Sequence, residues 1–135
     1  MQTAAPDITQ LKSRMKETWM AGDFGQIANF TAPEAENFVA RIGIRPGWKV
    51  LDVACGTGNT AIPAAKAGAS VTGVDIAANS LGQARKWAAS ERLNIRFEEG
   101  DAEELRFADH SFDVVLTMFG AMFAPRPEKV AAELL

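Results

Sequence analysis

The chain has 135 residues, 47% apolar and 23% charged, and a net charge of −3. A chain of this size and composition makes one ordinary globular domain that buries roughly two-thirds of its unfolded surface. Mild acidity with scattered Lys and Arg argues against a dedicated nucleic-acid or anionic-membrane surface, and a single cysteine, Cys55, excludes an intrachain disulfide and a multi-cysteine metal site.

The first seven residues have no basic start leading into an apolar stretch, so no secretion signal is expected. The apolar run over 114–125 is too short to span a bilayer. A cytoplasmic location is therefore the default expectation. Asp7 can cap a helix whose apolar residues Ile8, Leu11, Met15 and Trp19 recur at helical spacing, with Gly22 at its end. Residues 23–30 are ambiguous. Thr31-Ala32-Pro33-Glu34 reads as a capping box that starts a second helix, with Pro33 in its first turn. Ala35, Phe38, Val39 and Ile42 then mark a buried stripe, and Gly43 ends that helix.

From here strands and helices alternate. Strands are expected over 48–54, 70–74, 94–98 and 112–118, and helices over 60–67, 77–90 and from 128 onward. The order implies a parallel sheet with helices on both faces. The third strand alternates Ile95 and Phe97 with Arg96 and Glu98, which suits a sheet edge. The fourth is apolar throughout and suits an interior strand, yet nothing after it supplies a neighbour. The chain is thus expected to lack the strands that follow, or to cover this edge with a second copy. Residues 1–45 form a helical segment and 46–135 the α/β part.

The segment Val50-Leu51-Asp52-Val53-Ala54-Cys55-Gly56-Thr57-Gly58-Asn59 carries most information. An apolar strand runs into a glycine loop that opens a helix, which sets bare backbone N–H groups beside a ligand. Two readings compete. Gly56 to Ala61 fits the dinucleotide pattern G-x-G-x-x-A, with Asp75 at the distance of a ribose contact. Asp52 inside the strand and Asp101 after the third strand, in Glu99-Gly100-Asp101-Ala102, tip the choice elsewhere.

In this combination the chain resembles the class I S-adenosylmethionine-dependent methyltransferases. Within them it is most similar to the small-molecule group that includes the ubiquinone and menaquinone C-methyltransferases. The match runs from Trp48 to the end, through 50–59, 71–76, 97–102 and 112–118. The resemblance implies a Rossmann-like doubly wound α/β fold. Of seven strands the first four are present, in order 3-2-1-4, behind N-terminal helices that serve as a lid. It implies S-adenosylmethionine as cofactor and a small-molecule methyl acceptor. Ala54, Cys55, Gly56, Thr57 and Gly58 would lie along the methionine part, with the helix start favouring its carboxylate. Asp52 would bond its amino group, directly or through water. Asp75 would accept both ribose hydroxyls and Ile76 flank the adenine. Asp101 would accept from the exocyclic amine, and the Ala102 N–H would pair with a ring nitrogen. The family's first loop glycine is Ala54 here, so a negative φ is expected at that residue.

Each of these residues also has a purely structural reading. Asp75 could cap the next helix, Asp101 could be a turn residue, and Asp52 could simply hold the loop. Cys55 reads as an apolar filler and His110 as a solvated turn residue. Trp19, Phe24, Ile27 and Phe30 read as core, or else as a cover over the ligand. Met118, Phe119, Met122 and Phe123 follow the fourth strand at its carboxyl end, where open α/β sheets bind ligands. No catalytic base emerges, and the chain has no tyrosine. Because the absent strands complete the substrate side of the resembled family, methyl transfer by this chain alone is expected to be weak or absent. The alternatives are a nicotinamide-dependent oxidoreductase fragment, or a non-catalytic cofactor-binding or assembly module that pairs through the fourth strand.

Overall fold

A computed structural model describes residues 4–135. Two helices, α1 (Ile8–Ala21) and α2 (Phe24–Ile42), precede β1 (Lys49–Val53), α3 (Ala61–Lys66), β2 (Ser70–Asp75), α4 (Ala78–Ser90), β3 (Arg96–Glu99) and β4 (Val114–Leu116). A 3-10 turn (Ala121–Phe123) and α5 (Pro127–Leu134) follow. The four strands are all parallel, in the order β3-β2-β1-β4. The sequence reading is met in both respects.

The pleat explains the layering. Val50 packs with Ile62, Leu81, Ala84 and Ala88 of α3 and α4 on one face, while Leu51 and Val53 pack with Ala121 and Val130 on the other. Alternate residues of one strand thus serve two cores, which requires helices on both faces. β1 is buried after its first residue, as a strand with two neighbours must be. The register of β4 on β1 is clamped at its start: Asp113 Oδ2 accepts the Lys49 N–H at 2.7 Å, and the Asp113 N–H donates to the Lys49 carbonyl at 2.8 Å.

Three expectations are corrected. The second helix starts at Phe24, seven residues before the capping-box reading, with Asp23 as its cap through the Gly25 N–H. Thr31 does not cap, because its hydroxyl donates to the Ala28 carbonyl at 3.1 Å and accepts from Asn59 at 3.1 Å. Pro33 therefore lies inside a helix rather than at its start. The fourth strand is three residues long rather than spanning 112–118, while its uncovered outer edge, with Val115 exposed, is as the order 3-2-1-4 implies. Ile27 and Phe30 are not core: they are 59% and 86% exposed, because α2 turns Ala35 and Val39 inward instead. No helix of the described residues is long and apolar enough to cross a membrane.

Gly73 of β2 permits the tightest packing in the sheet. A Cβ there would lie 2.8 Å from Phe97 Cδ1 and 2.9 Å from Cys55 Sγ. Overpacking of this kind costs about 1–3 kcal/mol. Gly73→Ala is expected to lower the urea midpoint accordingly, and an unchanged midpoint would show that the sheet yields freely at this point.

Candidate active site

The strand order reverses between β1 and β4, so the connections leaving these strands diverge and open a crevice at the carboxyl edge. A cavity of about 560 Å³ lies there, within the size range of cofactor sites. Its floor is the glycine loop after β1, one side is formed by Asp75 and Ile76 after β2, and another by Gly100, Asp101 and Ala102 after β3. Met118, Phe119, Met122 and Phe123 form the apolar wall after β4, and Met15, Trp19, Phe24 and Ile27 of the N-terminal helices close over it. Trp19 ties this cover together, with its ring 4.8 Å from Phe24 and 5.3 Å from Phe123.

The glycine loop is stitched to β2. The Cys55 N–H donates to the Val74 carbonyl at 3.0 Å, and the Gly56 N–H to Asp75 Oδ2 at 2.8 Å. This pinning forces the chain to turn at residue 54. Ala54 accordingly adopts φ +56°, which corrects the expectation of a negative φ. A left-handed L-residue costs about 1–2 kcal/mol. Phe119, on the neighbouring connection after β4, has the same φ of +56°. Gly120 is needed beside them, because a Cβ there would lie 2.6 Å from Ala54 Cβ and from its carbonyl oxygen. Gly56, at φ +55°, faces open space. The N–H groups of Thr57 and Asn59 donate to no group among the described residues. Since α3 has only six residues, any pull on an anion comes from these loop N–H groups more than from a helix dipole.

The N-cap of α4 is Ala77 with no side-chain bond, which corrects the capping reading of Asp75; Asp75 instead braces two loops. Its Oδ1 accepts the Ala77 N–H at 2.8 Å, at the start of α4, while Oδ2 holds the glycine loop. Each oxygen keeps a lone pair, and the carboxylate lies on the cavity wall. Burial pushes its pKa up, against the pull of the Ala77 and Gly56 N–H groups. Asp101 is less buried. Its Oδ1 accepts the Glu103 N–H at 2.9 Å and its Oδ2 accepts from Lys12 at 2.5 Å.

Of the candidate residues read from the sequence, Ala54, Cys55, Gly56, Thr57, Asp75, Ile76, Asp101, Ala102 and Met118 line the cavity. Asp52 and Gly58 stand behind the loop. Gly58, at φ +100°, packs its backbone on Ile62 and Ala84. Asp52 is 1% exposed and accepts a short hydrogen bond from the Thr60 hydroxyl. Cys55 is buried, and desolvation raises its pKa well above that of a free thiol, in keeping with an apolar filler. His110 lies on an exposed turn at φ +57°.

The sequence reading missed Lys12, Asn59 and the Glu103–Arg126 pair. Asn59 ties the glycine loop to α2 by donating to the Ala28 carbonyl at 2.7 Å. Lys12 had a signal: it stands three residues before Met15 and seven before Trp19, on the apolar stripe of its helix. Glu103 had none, because its partner lies 23 residues away.

Asp52 has a measurable consequence. Burial pushes its pKa up to about 7, outweighing the Thr60 hydroxyl, and the Asp75 charge adds to the rise. Its Oδ1 has no hydrogen-bond partner among the described residues. The unfolded carboxyl titrates near 3.8, so between about 4 and 7 the folded state holds a proton that the unfolded state has released. Stability from this group is therefore full at low pH and falls as pH rises through that window. Asp52→Asn is expected to flatten the slope in urea titrations between pH 4.5 and 7.5. Equal slopes in both proteins would place the Asp52 pKa near its ordinary value.

With this geometry in hand, comparison with known proteins is informative. A family model described as a methyltransferase domain matches residues 50–135. The uncharacterized protein Rv1405c of Mycobacterium tuberculosis is 38% identical over 136 residues, covering 100% of this chain and 50% of its own. Demethylmenaquinone methyltransferase of Renibacterium salmoninarum is 42% identical over 97 residues, covering 72% of this chain and 39% of its own. Among solved structures, the YcgJ protein of Bacillus subtilis superposes with a TM-score of 0.69 at 26% identity, over 74% of this chain and 44% of its own. The chain spans about half the length of the curated relatives it matches. The family match decides between the two readings of the glycine loop, against the nicotinamide one. The chain belongs to the methyltransferase-domain family, in its class I, S-adenosylmethionine-dependent branch.

Proposed function

We propose that this chain forms the cofactor-binding half of an enzyme that moves a methyl group from S-adenosylmethionine to a small, largely apolar acceptor. One observation carries the reading. Two carboxylates, Asp75 and Asp101, end successive strands on the wall of a single cavity whose floor is a glycine loop with free N–H groups. Asp75 has two fixed oxygens, each with a lone pair left, which suits the vicinal hydroxyls of a ribose. Asp101 lies beyond it along the cavity, with Ile76 and Ala102 nearby, in the manner of an acceptor for the exocyclic amine of an adenine held between apolar groups. The loop from Ala54 to Gly58 takes the methionyl end, where Gly56 leaves room for close approach. Asp52 supports that loop from behind through Thr60.

When bound, the cofactor supplies a methyl carbon already activated by its sulfonium. The residues of this chain bind and orient. Met118, Phe119, Met122 and Phe123 form the wall on the acceptor side and keep water away, and the Trp19 cover completes the enclosure. Holding two reactants in line supplies much of a transfer rate. Among the described residues no His or Tyr lines the cavity, and its one lysine is paired with Asp101 and Glu103, so this reading assigns no base. The outer edge of β4 is where a second copy or further strands of a longer chain would join. Mild acidity keeps nucleic acid out of the proposed partners, and a cytoplasmic setting goes with this reading.

Titration calorimetry with S-adenosylhomocysteine tests the assignment. A charge-assisted hydrogen bond is worth about 1.5–3 kcal/mol. Asp75→Ala is therefore expected to weaken binding at least about tenfold while the protein stays folded by circular dichroism. Undiminished affinity in the variant, or stronger binding of NAD by the unaltered chain, would overturn the reading.

A further inference from the structure

Among the described residues Lys12 is the only basic side chain on the cavity wall, and it comes from the N-terminal helix, 89 residues away from its partner Asp101. Its Nζ lies 2.5 Å from Asp101 Oδ2 and 3.2 Å from Glu103 Oε1. The Glu103 side chain is completely buried, and it is held from the other side by Arg126, at 2.6 Å through Nε and 3.1 Å through the backbone N–H. Burial alone would raise the Glu103 pKa, but Arg126 and Lys12 more than offset this and hold it below the ordinary value. The result is a line of alternating charge, Arg126–Glu103–Lys12–Asp101. It links the start of α5, the connection after β3, and α1.

Beyond the contacts of Trp19 with Phe24 and Phe123, the rest of the α1 attachment is partly exposed. The helix has no fully buried residue. Its other polar ties are an Asn79 side chain on the Met20 carbonyl at 3.1 Å and an exposed Lys16–Glu99 pair at 3.7 Å. Exposed pairs of that kind contribute little. The Lys12 side chain is only 19% exposed, so its bonds to Asp101 and to the buried Glu103 are the best-shielded polar ties of α1 among the described residues.

We propose that Lys12 is a positioning residue that couples the docking of α1 over the cavity to the orientation of the Asp101 carboxylate. This rests on the cofactor reading above, in which Asp101 accepts from the adenine amine. Lys12 and the Glu103 N–H each engage one Asp101 oxygen, which fixes the plane of the carboxylate and leaves one lone pair on each oxygen for the ligand. A docked α1 then means an aimed Asp101. Because linkage is reciprocal, a ligand that bonds Asp101 tightens α1 in turn.

The test uses the full chain and two probes. One is S-adenosylhomocysteine; the other is its inosine counterpart, in which a carbonyl oxygen replaces the exocyclic amine. Lys12→Met keeps an aliphatic stem of similar length, and Lys12→Arg restores the charge. Calorimetry is expected to show about tenfold weaker binding of S-adenosylhomocysteine to Lys12→Met, a several-fold smaller preference for the amine-bearing probe, and recovery of most of both in Lys12→Arg. Hydrogen exchange in α1 is expected to slow when S-adenosylhomocysteine binds the unaltered chain, and not to slow in Lys12→Met. If Lys12→Met loosens α1 yet keeps its base preference, Lys12 is only a helix tie and the inference is overturned. Affinity and preference equal to those of the unaltered chain overturn it as well. Failure of the unaltered chain to bind S-adenosylhomocysteine would instead sink the cofactor reading, and this inference with it.

Discussion

The carboxylate of Asp75 is the point on which the cavity is organised. Its two oxygens take N–H groups from Gly56 and Ala77, so one side chain anchors the glycine loop of β1 and the turn into α4. Without that anchor the loop would have only the Cys55 N–H on Val74 to hold it against β2. A carboxylate held by two backbone donors is fixed in orientation, so a ligand that bonds it would meet a smaller ordering cost.

The cavity also holds two of the four non-glycine residues with left-handed φ among the described residues: Ala54 and Phe119 lie on neighbouring connections, and Gly120 is wedged against Ala54. These conformations persist only because the surroundings over-determine them. The Cys55 and Gly56 hydrogen bonds do so on one side, and the short β4 with its 3-10 turn does so on the other. The buried Asp52 belongs to the same economy of strain: a carboxyl with one unpartnered oxygen is retained beneath the loop because Thr60, at the entrance to α3, uses the other.

Much of this was legible in the sequence, for reasons of periodicity and punctuation. The strand order followed from family likeness, and the helical stripe of Leu81, Ala84 and Ala88 is buried as its spacing required. The edge position of β3 follows from its alternating texture. Failures arose where tertiary partners override local chemistry. Thr31-Ala32-Pro33-Glu34 carries the residues of a cap, yet Asn59 arrives from the glycine loop and uses the Thr31 hydroxyl differently. Ala54 bends because two hydrogen bonds downstream demand it, and no local rule contains those bonds. Nine of the eleven site candidates lie on the cavity because they sit at strand ends, where the fold class alone fixes their address. Glu103 left no trace in the sequence, and Lys12 left only its place on the apolar stripe of α1, because what they do depends on partners distant along the chain.

The buried state of Cys55 gives the molecule a built-in reporter. Its thiol is the only one in the chain, lies in the middle of the glycine loop, and is held protonated by its apolar surroundings. An alkylating reagent in solution can reach it only during excursions in which that loop lifts from Val74 and Asp75. The rate at which the sulfur is modified is therefore a clock for the breathing of the cavity floor, and any molecule that seals the floor should slow that clock without touching the sulfur at all.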